Sequence, residues 1–66
     1  MKLNVNGNER EVADGATVVD LLDLLELTGK FVAVEVNLEI VPKAQHAECV
    51  LADGDRVEIV TLVGGG

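Results

Sequence analysis

Gly64-Gly65-Gly66 closes the sequence, and three consecutive glycines bury no side chain and lose more backbone freedom on ordering than any other residues. Such a segment is expected to project into solvent. Extended, a tripeptide reaches roughly 10 Å, enough to carry a terminal carboxylate into a narrow cleft of another protein, and without Cβ atoms nothing widens it. A carboxylate is a poor electrophile because attack on it must expel oxide, so useful chemistry requires activation, most directly adenylation with ATP. The acyl-adenylate has a good leaving group: a sulfur nucleophile converts it to a thiocarboxylate, an amine to an amide. Glycine leaves the acyl carbon uncrowded for either. The plainer reading of terminal glycines is a frayed end.

The side chains offer less. Cys49 is the single cysteine and His46 the single histidine, which excludes an internal disulfide and a cysteine-rich metal site. A reactive thiol needs a basic neighbourhood, whereas the nearest charged neighbour of Cys49 is Glu48, so a packed structural cysteine is expected. Asp20, Asp23 and Glu26 fall at helical spacing and read as a solvent-facing stripe, not an acid/base pair. No nucleophile and base stand together, and the triple glycine lacks the preceding strand and following Lys of a phosphate loop. No catalytic side chain and no metal site are therefore expected, and the chain should not be an enzyme by itself.

Sixty-six residues make one small domain, which buries only about 60 % of the surface that its unfolded chain exposes. The composition is globular, 48 % apolar with Phe31 as the sole aromatic, so the core must be aliphatic. Twelve acidic residues against five Lys and Arg leave a net charge of −7, the wrong sign for phosphate backbones or anionic lipid. Neither nucleic acid nor membrane is expected as a partner. Met1-Lys2-Leu3-Asn4 lacks an apolar signal run, and a lone cysteine suits a reducing compartment, so a cytoplasmic location is expected.

The tail needs a platform, and the rest of the sequence supplies one. Lys2 to Val5 alternates polar and apolar, Asn6-Gly7 offers a two-residue turn, and Glu9 to Val12 resumes an extended pattern, which predicts a hairpin. Thr17 with Asp20 three residues later resembles a capping box. Val18, Leu21, Leu22 and Leu25 then follow the helical rule, predicting one amphipathic helix that ends near Gly29. Phe31 to Val36 reads as a strand, Asn37-Leu38-Glu39 as a turn, and Ile40-Val41 as a short strand that Pro42 stops. Lys43 to Ala52 is mixed, with room for one helical turn, Asp53-Gly54-Asp55 is a turn, and Arg56 to Val63 is the longest strand. Alternation assigns Val57 and Ile59 to the core and Arg56, Glu58 and Val60 to the other face. The expectation is an α+β domain over residues 1–63, one main helix on one face of a mixed four- to five-stranded sheet, with 64–66 as a flexible glycine tail.

That element order ending in Gly-Gly resembles the ubiquitin-like β-grasp sulfur carriers, and within them the ThiS family of thiamine biosynthesis. The residues that carry the resemblance are Val36-Asn37, Ile40-Val41-Pro42-Lys43, Asp53-Gly54-Asp55, the strand from Val57 to Val63, and Gly65-Gly66. It covers nearly the whole chain. The Ile-Val-Pro-basic element after an Asn turn is its more specific part. The resemblance implies that Gly66 is adenylated by an E1-like activating enzyme, converted to a thiocarboxylate with sulfur from a sulfur-donating enzyme, and used by thiazole synthase. Gly64 and Gly65 would thread the partners' channels; ATP is consumed by the partner, and no cofactor is held permanently. It also implies a last strand parallel to the first at the centre of the sheet. Gly64 stands where these carriers often have alanine, and His46 where they commonly have an aromatic.

Val60 and Leu62 lead into the tail on a face without expected helix cover, and they are the candidate docking patch, ringed by acids such as Glu58. The plainer reading of these residues is that Leu62 and Val63 complete the core. The alternatives for function are another β-grasp carrier (the molybdopterin synthase small subunit, or a tRNA-thiolation or cysteine-synthesis donor), a ubiquitin-like modifier forming amides with lysine, and a purely structural interaction module with an inert tail.

Overall fold

A computed structural model describes residues 1–62. The chain forms strands β1 (Lys2–Val5) and β2 (Asn8–Glu11), helix α1 (Val18–Leu24), strands β3 (Val32–Val36) and β4 (Glu39–Ile40), a short 3-10 helix (Lys43–Gln45), and strand β5 (Arg56–Thr61). One five-stranded sheet results, in the order β2-β1-β5-β3-β4. The expected hairpin is present, with Asn6 and Gly7 both at positive φ as a tight two-residue turn of this kind demands. β5 lies between β1, to which it is parallel, and β3, to which it is antiparallel, so the final strand occupies the middle of the sheet.

Leu3, Val5, Val34, Val57 and Ile59 point from the sheet toward Val18, Leu21 and Leu22 of α1 and Leu51 of the later connection, forming one aliphatic core. A seven-residue helix does not persist alone. Burial of its three core side chains, at about 1.5–3 kcal/mol each, holds it to the sheet. The capping box is present at its start: the Asp20 amide donates to the Thr17 hydroxyl, and the Thr17 amide donates to the Asp20 carboxylate. Among the described residues no helix is long and apolar enough to cross a membrane.

β2 and β4 each begin and end one residue earlier than expected, β5 ends at Thr61 where Val63 was expected, and two further boundaries differ. The helix stops at Leu24, not near Gly29, because Glu26 adopts φ 59°, the Leu27 amide reaches back to the Leu22 carbonyl at 2.8 Å and the Glu26 amide to the Asp23 carbonyl at 3.0 Å. This is a Schellman closure with glutamate where glycine is usual, at a cost of about 1–2 kcal/mol for a left-handed L-residue. It turns Leu27 back against the core. The second difference is Phe31, which precedes β3 and is exposed. The expected boundary between residues 63 and 64 lies outside the described residues.

Asn6 joins the two halves of the sheet. The β1 ladder ends at Val5, yet β5 continues, which would leave the β1-facing peptide groups of Ile59 without a strand. The Asn6 side chain replaces the missing backbone: the Ile59 amide donates to its Oδ1 at 2.7 Å, and its Nδ2 donates to the Ile59 carbonyl at 3.0 Å. The Asn6 amide donates to Val57 in addition. The replacement Asn6→Gly keeps the left-handed φ, removes this clamp and loosens the unfolded backbone, so it is expected to lower unfolding free energy by about 2–3 kcal/mol, measured by urea denaturation. A change below a few tenths would show that the clamp contributes nothing.

Candidate functional site

The residues that could act on a partner are set by β5, because the glycine segment follows directly from it. Along β5 the odd residues Val57 and Ile59 enter the core, and Arg56, Glu58 and Val60 stand on the opposite face, as alternation predicts. Cross-strand register pairs Val60 with Ala33, Glu58 with Glu35, and Glu35 in turn with Ile40. The Leu62 amide donates to the Phe31 carbonyl at 2.7 Å, so the pairing continues one step past the strand and brings Leu62 to the face of Val60.

Among the described residues no helix covers this face. Val60 and Leu62 retain 57 % and 55 % of their accessible surface and Ile40 retains 70 %, with the small side chain of Ala33 exposed between β4 and β5. The core reading of Leu62 is thereby excluded. Val63, Gly64, Gly65 and Gly66 lie outside the described residues. The strip formed by Leu62, Val60, Ala33 and Ile40 gives way to the Glu35–Glu58 pair, two carboxylates directly opposite on neighbouring strands. What this arrangement offers is an apolar contact beside the departing chain, with an acidic end that suits a basic partner.

The other chemistry-bearing residues are committed to structure. His46 is 5 % exposed, and its Nε2 donates to the Val41 carbonyl at 3.0 Å, since a carbonyl can only accept. Cys49 is half-buried against the core. Asp20 caps α1, and the Asp23 carboxylate accepts from the Thr28 hydroxyl. Among the described residues no three His, Cys, Asp or Glu side chains lie together as a metal site. Ile40 and Ala33 as members of the open face escaped the sequence reading, because their placement depends on register across β3 and not on local pattern.

The comparisons with known proteins agree with this geometry. The profile of the ThiS family matches residues 3–66. The sulfur carrier protein ThiS of Bacillus subtilis is 43 % identical, the alignment covering 97 % of this chain and 98 % of that one. A thiazole synthase of Paramagnetospirillum magneticum is 50 % identical over all of this chain, which spans only 20 % of that protein's length. Among solved structures, the crystal structure of the thiamine biosynthesis protein (ThiS) from Geobacter metallireducens matches with a TM-score of 0.84 and 35 % identity, covering 100 % of both chains. The β-grasp arrangement of sheet and helix is the same.

Like charges directly across a strand pair are destabilising. The variant Glu58→Lys turns the Glu35 pair into an attraction and is expected to raise unfolding free energy by about 0.5–1 kcal/mol at low ionic strength, with the gain fading as salt screens it. Denaturation at two salt concentrations checks this; equal stability of variant and parent at low salt would contradict it.

Proposed function

Because the chain belongs to the ThiS family, we propose that it is a sulfur carrier of thiamine biosynthesis whose own terminal carboxylate, at Gly66, is the reacting group. The observation that carries this reading is that the family match extends through the glycine segment to residue 66. In the reaction proposed, an adenylating enzyme positions the carboxylate to attack the α-phosphorus of ATP, and pyrophosphate leaves. A sulfide equivalent from a sulfur-donating enzyme then attacks the acyl carbon, and AMP departs with the bonding electron pair, leaving the thiocarboxylate. The chain supplies no acid or base for these steps. Its contribution is positional: Gly64 and Gly65 keep the path to the acyl carbon narrow, and β5 fixes where that path begins.

Thiazole synthase is the proposed acceptor. Two relatives named thiazole synthase contain a stretch matching this whole chain, at 50 % and 35 % identity, which supports a carrier that works beside that enzyme. Val60 and Leu62 are the proposed docking patch, for the exposure and adjacency described above. These relatives also favour thiazole formation over the other β-grasp carrier roles and over amide-forming modification.

Two changes test the reading separately. One alanine appended after Gly66 moves the carboxylate onto a residue with a Cβ and is expected to abolish ATP–pyrophosphate exchange by the adenylating enzyme; undiminished exchange by the unprocessed, lengthened protein would refute terminal chemistry. Val60→Asp leaves the fold intact, since the side chain is exposed, and is expected to raise the KM for the carrier at least about tenfold, the effect of losing roughly 1.4 kcal/mol of contact. An unchanged KM would remove Val60 from the docking patch.

A further inference from the structure

The flank of the domain carries a half-open cavity of about 170 Å³, bounded by Val19 and Leu22 of α1, the 27–31 loop, the start of β3 and the 3-10 helix. Its lining is largely apolar, with Leu22, Leu27 and Val32, and includes Lys30 and Lys43. An apolar cavity of about 150 Å³ is known to accept a benzene ring, so the space suits one branched aliphatic or aromatic side chain. Phe31 forms a wall, is 72 % exposed, and lies under the Lys43 ammonium, 5.8 Å from the ring centroid.

We propose that this cavity is a second contact for the enzyme that adenylates the carrier, receiving an apolar side chain flanked by carboxylates from an acidic segment of that enzyme. The charge pattern selects this occupant. The chain has five Lys and Arg against twelve acids, and two of those five meet at one apolar cavity. Neither Lys30 nor Lys43 is in an ion pair among the described residues, whereas Lys2 pairs with Glu9. A pair of this sign repels a basic surface and attracts carboxylates.

Position supplies the reason for such a contact. The Phe31 carbonyl accepts from the Leu62 amide, so the cavity wall adjoins the last described step of β5, and an enzyme holding the segment beyond Leu62 comes within reach of the cavity. A net charge of −7 attracts a basic partner from a distance without fixing orientation. An apolar strip on one side of β5 leaves rotation about the tail open. A contact of opposite sign on the adjacent flank closes that freedom and fixes register.

The inference rests on the proposed sulfur-carrier function, and the experiment separates the two. ATP–pyrophosphate exchange is measured with the purified adenylating enzyme and four carriers: wild type, Lys30→Glu/Lys43→Glu, Lys30→Gln/Lys43→Gln, and Lys2→Glu/Arg10→Glu, which changes net charge as much as the first double variant but far from the cavity. The expected result is a KM for the carrier raised about tenfold or more by the cavity Glu pair, a smaller rise for the Gln pair, and less than threefold for the distant pair, with kcat at saturation within about twofold throughout. Equal KM shifts for the cavity and distant Glu pairs would overturn the cavity contact while leaving the carrier function standing. If the wild type itself supports no exchange, the carrier reading fails and the cavity contact with it.

Discussion

The parallel pairing of β1 with β5 is the constraint on which the rest of the molecule depends. It places the last strand of the chain inside the sheet, held by β1 on one side and β3 on the other. β5 is held on both sides as far as Ile59, and beyond it the β3 ladder, which runs on to the Leu62–Phe31 bond, sets the point at which the chain leaves Leu62. The weak place is the register itself, since only Asn4 and Val5 pair with Arg56 and Val57 before the first strand turns away. Asn6 repairs this by lending its amide to both peptide groups of Ile59, and the same residue makes the hairpin turn. One side chain thereby couples the start of the chain to its end.

The two faces of the sheet are used differently. The inner face spends its apolar residues on α1 and the core, and that burial holds a helix too short to exist without it. The outer face keeps Val60, Leu62 and Ile40 in solvent and sets Glu35 against Glu58. Each of these works against stability in the isolated domain, and each becomes favourable against a surface that covers apolar groups and supplies positive charge. Local violations of folding logic are expected at functional or strained sites, and here they surround the end of β5.

Much of this was legible in the sequence because it is written locally. Asn6-Gly7 specifies the hairpin turn, Thr17 and Asp20 specify the helix start, and alternation in β5 separates Val57 and Ile59 from Glu58 and Val60. The helix end was not legible, since Gly29 is the residue that usually stops a helix and Glu26 does so instead, drawn into a left-handed conformation by the docking of Leu27. The Asn6 clamp spans more than fifty positions along the chain, and the open-face neighbours of Val60 depend on strand register, so neither has a local signature. The cavity beside Phe31 is assembled from α1, the stretch 27–32 and the region of the 3-10 helix, and no spacing announces it. The glycine segment, by contrast, stood out as three consecutive residues without side chains, and the chemistry proposed for it follows from that of a carboxylate.

The most direct measurement is top-down mass spectrometry of the intact protein isolated from cells that also make the adenylating and sulfur-donating enzymes. A carrier acting through its terminus yields a species in which one oxygen is replaced by sulfur, with fragmentation placing that sulfur on Gly66 and nowhere else. Sulfur found on Cys49, or a protein that stays unsulfurated while thiamine is being made, would contradict this.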